Sequence, residues 1–164
     1  MNNLRITRVD NRYIHGQVSA RLVRELNISK IVLISDIYAL DPFMTELYQT
    51  MAIGFTVDVL SISEAIQKQK TGAWDAEPAV MFLFGTVDDA NAAFRAGLKF
   101  FELMLANIPG GPGRVKINNS CYINAQEAQK LNELAKEGVA IYFQALTDMP
   151  KIALNEALKM LHVG

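Results

Sequence analysis

The chain has little cysteine and little histidine. Among its 164 residues, one is cysteine, Cys121, and two are histidine, His15 and His162. A single cysteine cannot form an internal disulfide bond, and no second cysteine stands at a zinc-binding spacing from it. A disulfide-stabilised secreted domain and a cysteine-based zinc site are therefore excluded, and we expect the protein to work without a metal.

Long apolar runs and an excess of charge of one sign are also lacking. No stretch of about 20 uncharged apolar residues is present, and the first ten residues do not have the pattern of a secretory signal. With 16 basic and 17 acidic residues, the net charge of −1 gives no reason to expect nucleic acid as a partner. Since 51% of the residues are hydrophobic, we expect a packed cytoplasmic protein with one domain over residues 1–164.

The sequence does contain a regular alternation of short apolar runs and amphipathic segments. The runs are rich in β-branched and aromatic residues, which predicts strands buried on both faces, at 4–9, 31–35, 55–60, 79–84, 99–105 and 139–144. Short connections between strands and helices favour right-handed crossovers and parallel strands. We therefore predict an α/β fold with a single doubly wound, mostly parallel sheet that has helices on both faces.

Capping residues predict where several helices begin. Asp41 followed by Pro42 is typical of a helix start, and Phe43, Leu47 and Met51 then repeat every four residues. Two further starts have capping-box spacing, at Ser61 with Glu64 and at Asn124 with Glu127. The last helix is predicted over residues 151–162, where His162 would complement the helix dipole.

A glycine- and proline-rich segment, residues 107–114, interrupts this alternation. Pro109, Gly110, Gly111, Pro112 and Gly113 cannot belong to a helix or a central strand, so the segment is a loop. In open α/β sheets, ligands bind at the carboxyl ends of the strands, and this loop follows such an end. It either borders a functional site or is an ordinary turn, and the sequence leaves both open.

His15 is predicted to lie between the first strand and the first helix, at the carboxyl edge of the sheet. A phosphoryl group there would meet the free N–H groups and the positive dipole of a helix start. Arg12 presents a planar guanidinium that suits phosphate oxygens, and Asp10 either holds Arg12 or binds the imidazole and fixes its nucleophilic nitrogen. A purely structural, hydrogen-bonding histidine is the alternative. Because no glycine-rich nucleotide-binding motif is present, a nucleotide-independent phosphoryl carrier fits better than a kinase.

The segment from Arg8 to Val18, RVDNRYIHGQV, resembles the active-site signature of the enzyme IIB components of mannose/sorbose-type sugar phosphotransferase systems (PTS). The resemblance implies a largely parallel sheet of seven strands and protein-Nπ-phosphohistidine–sugar phosphotransferase activity. His15 would accept a phosphoryl group from a IIA component and pass it to a sugar bound by the membrane components IIC and IID. Arg12 and Asp10 would support the transfer, with no cofactor other than the covalent phosphohistidine. Such a protein is cytoplasmic and associates peripherally with the membrane permease.

The sequence departs from the family pattern at two positions beside the histidine. Asn11 replaces an acidic residue and Tyr13 replaces leucine, so the sugar and the details of the partner surface are left open. Homo-oligomerisation is also left open. A non-enzymatic α/β sensor with the same fold is the competing hypothesis. Weaker candidates for phosphate binding or support of the site are Gly16, Gln17, Ser35, Asp36 and Arg114.

Overall fold

The computed structural model describes residues 1–162, except for the side chains of Gln17 and Val18. The domain predicted over 1–164 thus has its last two residues outside the described part. The strands are β1 Leu4–Asp10, β2 Lys30–Ile34, β3 Thr56–Leu60, β4 Val80–Phe84, β5 Glu102–Asn107, β6 Val115–Lys116, β7 Tyr122–Ile123, β8 Ala140–Phe143 and β9 Ile152–Ala153. The helices are α1 Gly16–Glu25, α2 Pro42–Met51, α3 Ile62–Lys70, α4 Val87–Ala96, α5 Ala125–Lys136 and α6 Leu154–Met160.

Seven strands form the main sheet, in the order β3-β2-β4-β1-β5-β8-β9. Its pairs are parallel except β8 with β9, and β6 and β7 form a separate antiparallel pair. Side chains alternate between two core clusters, so that Ile31 and Leu33 lie in one while Val32 and Ile34 lie in the other. The predicted doubly wound, mostly parallel α/β fold is confirmed.

The predicted starts of one strand and of the last helix were wrong. The predicted strand at 99–105 begins at Glu102, and the predicted terminal helix begins only at Leu154. Residues 152–153 instead form β9, which pairs with β8. This short strand covers an edge of β8 that would otherwise present unpaired backbone groups.

The capping predictions match the structure closely. Ser61 Oγ accepts a hydrogen bond from Glu64 N at 3.2 Å, and Ser61 N donates to the Glu64 carboxylate at 2.8 Å. Asn124 and Glu127 make the same reciprocal pair at the start of α5, and Asp41 caps α2. The apolar stripe that predicted α2, however, lies on the solvent-facing side of that helix, because Tyr48 is the residue that the helix buries.

The strand order places β1 at a point where the connections diverge. Strand β1 lies between β4 and β5 and runs parallel to both. Helix α1, which follows β1, packs in one core cluster through Val23, whereas α4 and α5 pack in the other through Ala90 and Leu131. Connections that leave neighbouring strands toward opposite faces open a crevice at the carboxyl edge. The loop that carries His15 begins there.

Candidate functional site

Asp10, the last residue of β1, binds three groups of the following loop. Its side chain is 1% exposed. Oδ2 lies 3.1 Å from His15 Nε2, and Oδ1 accepts hydrogen bonds from Arg12 N at 3.0 Å and Arg12 Nε at 3.3 Å. Since one carboxylate holds both the imidazole and the guanidinium, the structure brings together the three residues Asp10, Arg12 and His15.

Behind Asp10 lies a second arginine, Arg8, which is buried in the sheet. Its Nη2 donates to Asp10 Oδ2 at 3.1 Å, and its Nη1 donates to the carbonyl oxygen of Ala145 at 2.9 Å. Burial lowers the pKa of the Arg8 guanidinium, and the Asp10 carboxylate opposes that effect. We did not single out Arg8 from the sequence. Residues two positions apart on a strand share one face of a sheet, so Arg8 could have been expected beside Asp10.

His15 is the N-cap residue of α1, and its side chain is 24% exposed. The backbone N–H of His15 donates to Ser19 Oγ at 3.0 Å, which fixes the start of the helix. The imidazole makes no capping bond to the helix, and Asp10 binds its Nε2. Among the described side chains, none is hydrogen-bonded to Nδ1 of His15.

Arg12 is more exposed than Asp10 and His15. About half of its side chain, 48%, is accessible to solvent, and only its Nε contacts Asp10. Among the described hydrogen bonds and ion pairs, none involves the terminal nitrogens of the guanidinium. An arginine held at Nε can therefore present its planar end to an anion at His15.

Tyr13 shapes the loop, although the sequence indicated no role for it. Its backbone has φ +56°, a left-handed conformation that is unfavourable for a bulky residue. The Tyr13 ring packs edge-on against Tyr38, with centroids 5.0 Å apart, and lies close to Tyr48. A Cβ atom on Gly85 would lie only 2.1 Å from the Tyr13 hydroxyl oxygen. Packing of the ring against these neighbours offsets the backbone strain and holds the loop in one shape.

The Tyr13–Gly85 contact gives a stability prediction. We expect Gly85→Ala to lower the free energy of unfolding by about 1–3 kcal/mol, because the methyl group must displace the packed ring of Tyr13. In a Tyr13→Leu background the same substitution should cost much less, since leucine does not reach residue 85. Urea denaturation of the two single variants and the double variant measures this coupling. Additive effects would contradict the interlock.

The backbone of Gly16 explains the glycine after His15. Gly16 has φ +48°, and a Cβ atom there would meet nothing within 4 Å. The requirement for glycine is thus one of backbone conformation and not of space. The neighbouring candidate Gln17 has its side chain outside the described part.

Ser35 and Asp36 follow β2 at the same edge of the sheet, but their described hydrogen bonds go to backbone groups of Tyr38 and Ile62. Ser35 Oγ accepts from Tyr38 N at 3.2 Å, and Asp36 Oδ1 accepts from Ile62 N at 2.8 Å. These contacts order the turn after β2 and the start of α3. Neither side chain bonds to Asp10, Arg12 or His15 among the described hydrogen bonds.

The glycine- and proline-rich loop begins beside the His15 loop, and its last residue is bound to α5. Asn11 N donates to the Asn107 carbonyl at 3.0 Å, and Asn107 Nδ2 donates to Asn11 Oδ1 at 3.0 Å. Arg114, at the far end, binds both carboxylate oxygens of Glu127, at 2.8 and 2.9 Å. Its guanidinium therefore ties the loop to α5 and is neutralised there.

Two observations concern ligands and membranes. Within residues 1–162, no group of three or more His, Cys, Asp or Glu side chains is placed to hold a metal ion. In the same range, no helix is both long enough and apolar enough to cross a membrane.

His162 follows α6 and lies in a turn with φ +55°.

Comparisons with known proteins identify chains of similar sequence and similar fold. A family model described as the PTS system sorbose subfamily IIB component matches residues 4–162. The sorbose-specific EIIB component of Klebsiella pneumoniae is 25% identical over 154 residues, which cover 93% of each chain. The crystal structure of the IIBSor domain of the sorbose permease from Klebsiella pneumoniae has a TM-score of 0.86 at 24% identity. That match covers 96% of this chain and 97% of the domain, and it supports the fold.

A further relative is longer than this chain. The mannose-specific EIIAB component of Escherichia coli K12 is 25% identical over 154 residues, which cover 93% of this chain and 47% of that protein. The chain thus spans about half the length of the curated mannose-specific relatives that it matches.

Proposed function

Since the chain belongs to the sorbose subfamily of PTS IIB components, we propose that His15 accepts a phosphoryl group from a IIA component and transfers it to a sugar. The sugar is taken up through the membrane components IIC and IID, and the protein works at the cytoplasmic face of the membrane in contact with them. The activity is that of a protein-Nπ-phosphohistidine–sugar phosphotransferase, in which Nπ is the Nδ1 atom.

The observation that carries this proposal is the bond between His15 Nε2 and Asp10 Oδ2, at 3.1 Å. A carboxylate at Nε2 keeps the proton on that nitrogen, which leaves the lone pair on Nδ1 available as a nucleophile. Phosphorylation makes the ring cationic, and the buried carboxylate stabilises that charge. Arg8 and Arg12 hold the Asp10 side chain in place.

Both steps are displacements at phosphorus. In the first, the Nδ1 lone pair forms a bond to phosphorus while the donor's bond breaks, and its electron pair remains on the donor. In the second, a sugar hydroxyl oxygen attacks phosphorus, the electron pair of the N–P bond returns to Nδ1, and a base of the acceptor site takes the hydroxyl proton. The guanidinium of Arg12 and the first N–H groups of α1 stabilise the charge on the transferring group. No metal or nucleotide takes part in this scheme.

The non-enzymatic sensor gains no support from the relatives, which are themselves components of phosphotransferase systems. The sugars in their names, sorbose and mannose, describe the specificity of those relatives. For this chain we propose a sugar acceptor without naming it.

Labelling of the wild-type protein tests the proposal directly. After incubation with phosphoenolpyruvate, the general phosphotransferase carriers and a IIA component, we expect the mass to rise by one phosphoryl group. The label should be acid-labile and base-stable, and ³¹P–¹H NMR correlation should place it on Nδ1. An unlabelled protein would contradict the carrier function, and a label on Nε2 would contradict the role of Asp10.

A further inference from the structure

Helix α2 and the turn before it carry an exposed apolar surface, which we call the α2 patch. Leu40 is 86% exposed and Phe43 is 71% exposed. The patch consists of Ile37, Leu40, Phe43, Leu47, Met51 and Ile53.

The α2 patch is not the core-facing side of an amphipathic helix. The opposite side of α2 already packs in the core, through the buried Tyr48 and through Met44. A helix on a protein surface normally presents polar residues to water, and monomeric proteins rarely expose a continuous apolar surface of this kind. The patch therefore has the character of an interface.

The patch adjoins the loop that carries His15. Tyr38 stands between Ile37 and Leu40 in the chain, and its ring packs against Tyr13, two residues before His15. Any protein that exchanges a phosphoryl group with His15 must lie over this edge of the sheet. Contact with the α2 patch would extend such an interface along α2.

The charges around the patch indicate which surface it fits. From Ile31 to Gln67 the sequence contains no lysine or arginine. Of its acidic residues, Asp58 is paired with Lys30 at 3.2 Å, and the other four are Asp36, Asp41, Glu46 and Glu64. Glu46 is exposed one turn after Phe43, on the same side of α2. An anionic lipid surface would repel this segment. A protein surface with apolar residues and a basic rim would complement it.

We propose that the α2 patch docks the protein on the cytoplasmic loops of the sugar permease formed by IIC and IID. The proposal rests on the function proposed above and names the surface used by one of its partners. Cytoplasmic loops of membrane proteins are enriched in lysine and arginine, and these charges would complement the acidic residues around the α2 patch. An interface with an apolar centre is typical of a lasting complex, whereas the phosphoryl donor must leave in every cycle.

The experiment measures binding and phosphorylation separately. The probe is the IIC–IID pair of a sorbose-type system in phosphatidylcholine nanodiscs, and binding is measured by biolayer interferometry. We expect the double variant Leu40→Ser/Phe43→Ser to bind at least about tenfold more weakly than wild type, because it removes two exposed apolar anchors. Glu46→Lys should also weaken binding, most strongly at low salt.

The matched control is Phe101→Ser. Phe101 is 78% exposed and precedes β5 at the opposite edge of the sheet, so its loss should leave permease binding unchanged. All variants should keep the melting temperature of the wild type. In solution, without permease, each should accept a phosphoryl group from IIA within about twofold of the wild-type rate, since His15, Arg12 and Asp10 are intact.

Several outcomes would overturn the proposal. Unchanged permease binding by the double variant would do so, as would wild-type binding to empty nanodiscs as strong as to loaded ones. Slow phosphorylation of the double variant with normal permease binding would assign the patch to the donor. A wild-type dimer in sedimentation that the double variant lacks, again with normal permease binding, would assign it to a second copy. Failure of the carrier function is distinct, because wild-type protein would then take no phosphoryl group in solution.

Discussion

Replacing His15 with alanine is expected to abolish phosphoryl transfer while the fold persists. The variant has no nucleophile at the site, so labelling should fall below detection. The free energy of unfolding should change by no more than about 1 kcal/mol, because the side chain is partly exposed and lies on a loop. Asp10 does not become an isolated buried charge, since Arg8 and Arg12 still bind it. Mass measurement after incubation with the phosphorylated donor, beside a thermal melt, checks both expectations.

His162→Ala is the matched control for this variant. It removes the other histidine of the chain, which is exposed in the turn after α6, and should be labelled like the wild type. Full labelling of His15→Ala would show that the assignment of His15 is wrong. Loss of labelling in His162→Ala would have the same meaning.

Replacing Arg12 with glutamine is expected to slow phosphoryl transfer by about 10²–10³, which is typical for the loss of one strong electrostatic contact to a transition state. The transferring group spreads negative charge over its equatorial oxygens, and the planar guanidinium can contact two of them. Arg12→Lys should keep part of the rate, because lysine supplies the charge without the planar geometry. Rapid-quench measurement of transfer from the donor gives the two rates.

A structural role for Arg12 predicts a different pattern. If Arg12 acted mainly as a clamp on Asp10, Arg12→Gln would lower the melting temperature strongly and affect transfer little. The contacts favour the catalytic role, because Arg8 and the backbone N–H of Arg12 continue to hold Asp10 in the variant. Transfer at the wild-type rate by a stable Arg12→Gln protein would mean that no anion site is formed by this residue.

The parts of the fold that the sequence predicted are those that depend on neighbouring residues. Capping boxes join residues three positions apart, and buried strands are continuous apolar runs, so α3, α5 and β4 were predicted nearly in place. Strand β9 was missed because Ile152–Ala153 becomes a strand only through pairing with β8. Two residues carry no periodic signal of their own.

The same distinction holds for the site. Asp10, Arg12 and His15 lie within six residues, so their proximity follows from one short loop. The roles of Asp36 and Arg114 depend on partners distant in sequence, Ile62 N and Glu127, which bind them in the fold. No pattern in the neighbouring sequence shows that these two side chains are bound by such distant groups. The burial of Arg8 likewise depends on Ala145, which only the folded sheet brings near.

The contact between Tyr13 and Gly85 has a consequence for how this sequence can change. Because the phenol occupies the space that a side chain at residue 85 would need, the two positions cannot vary independently. In a library that randomises both, the stable members should pair an aromatic residue at 13 with glycine at 85, or a small aliphatic residue at 13 with a larger one at 85. The departure from the family pattern at Tyr13 is therefore matched by a glycine at residue 85, which lies in the connection between β4 and α4.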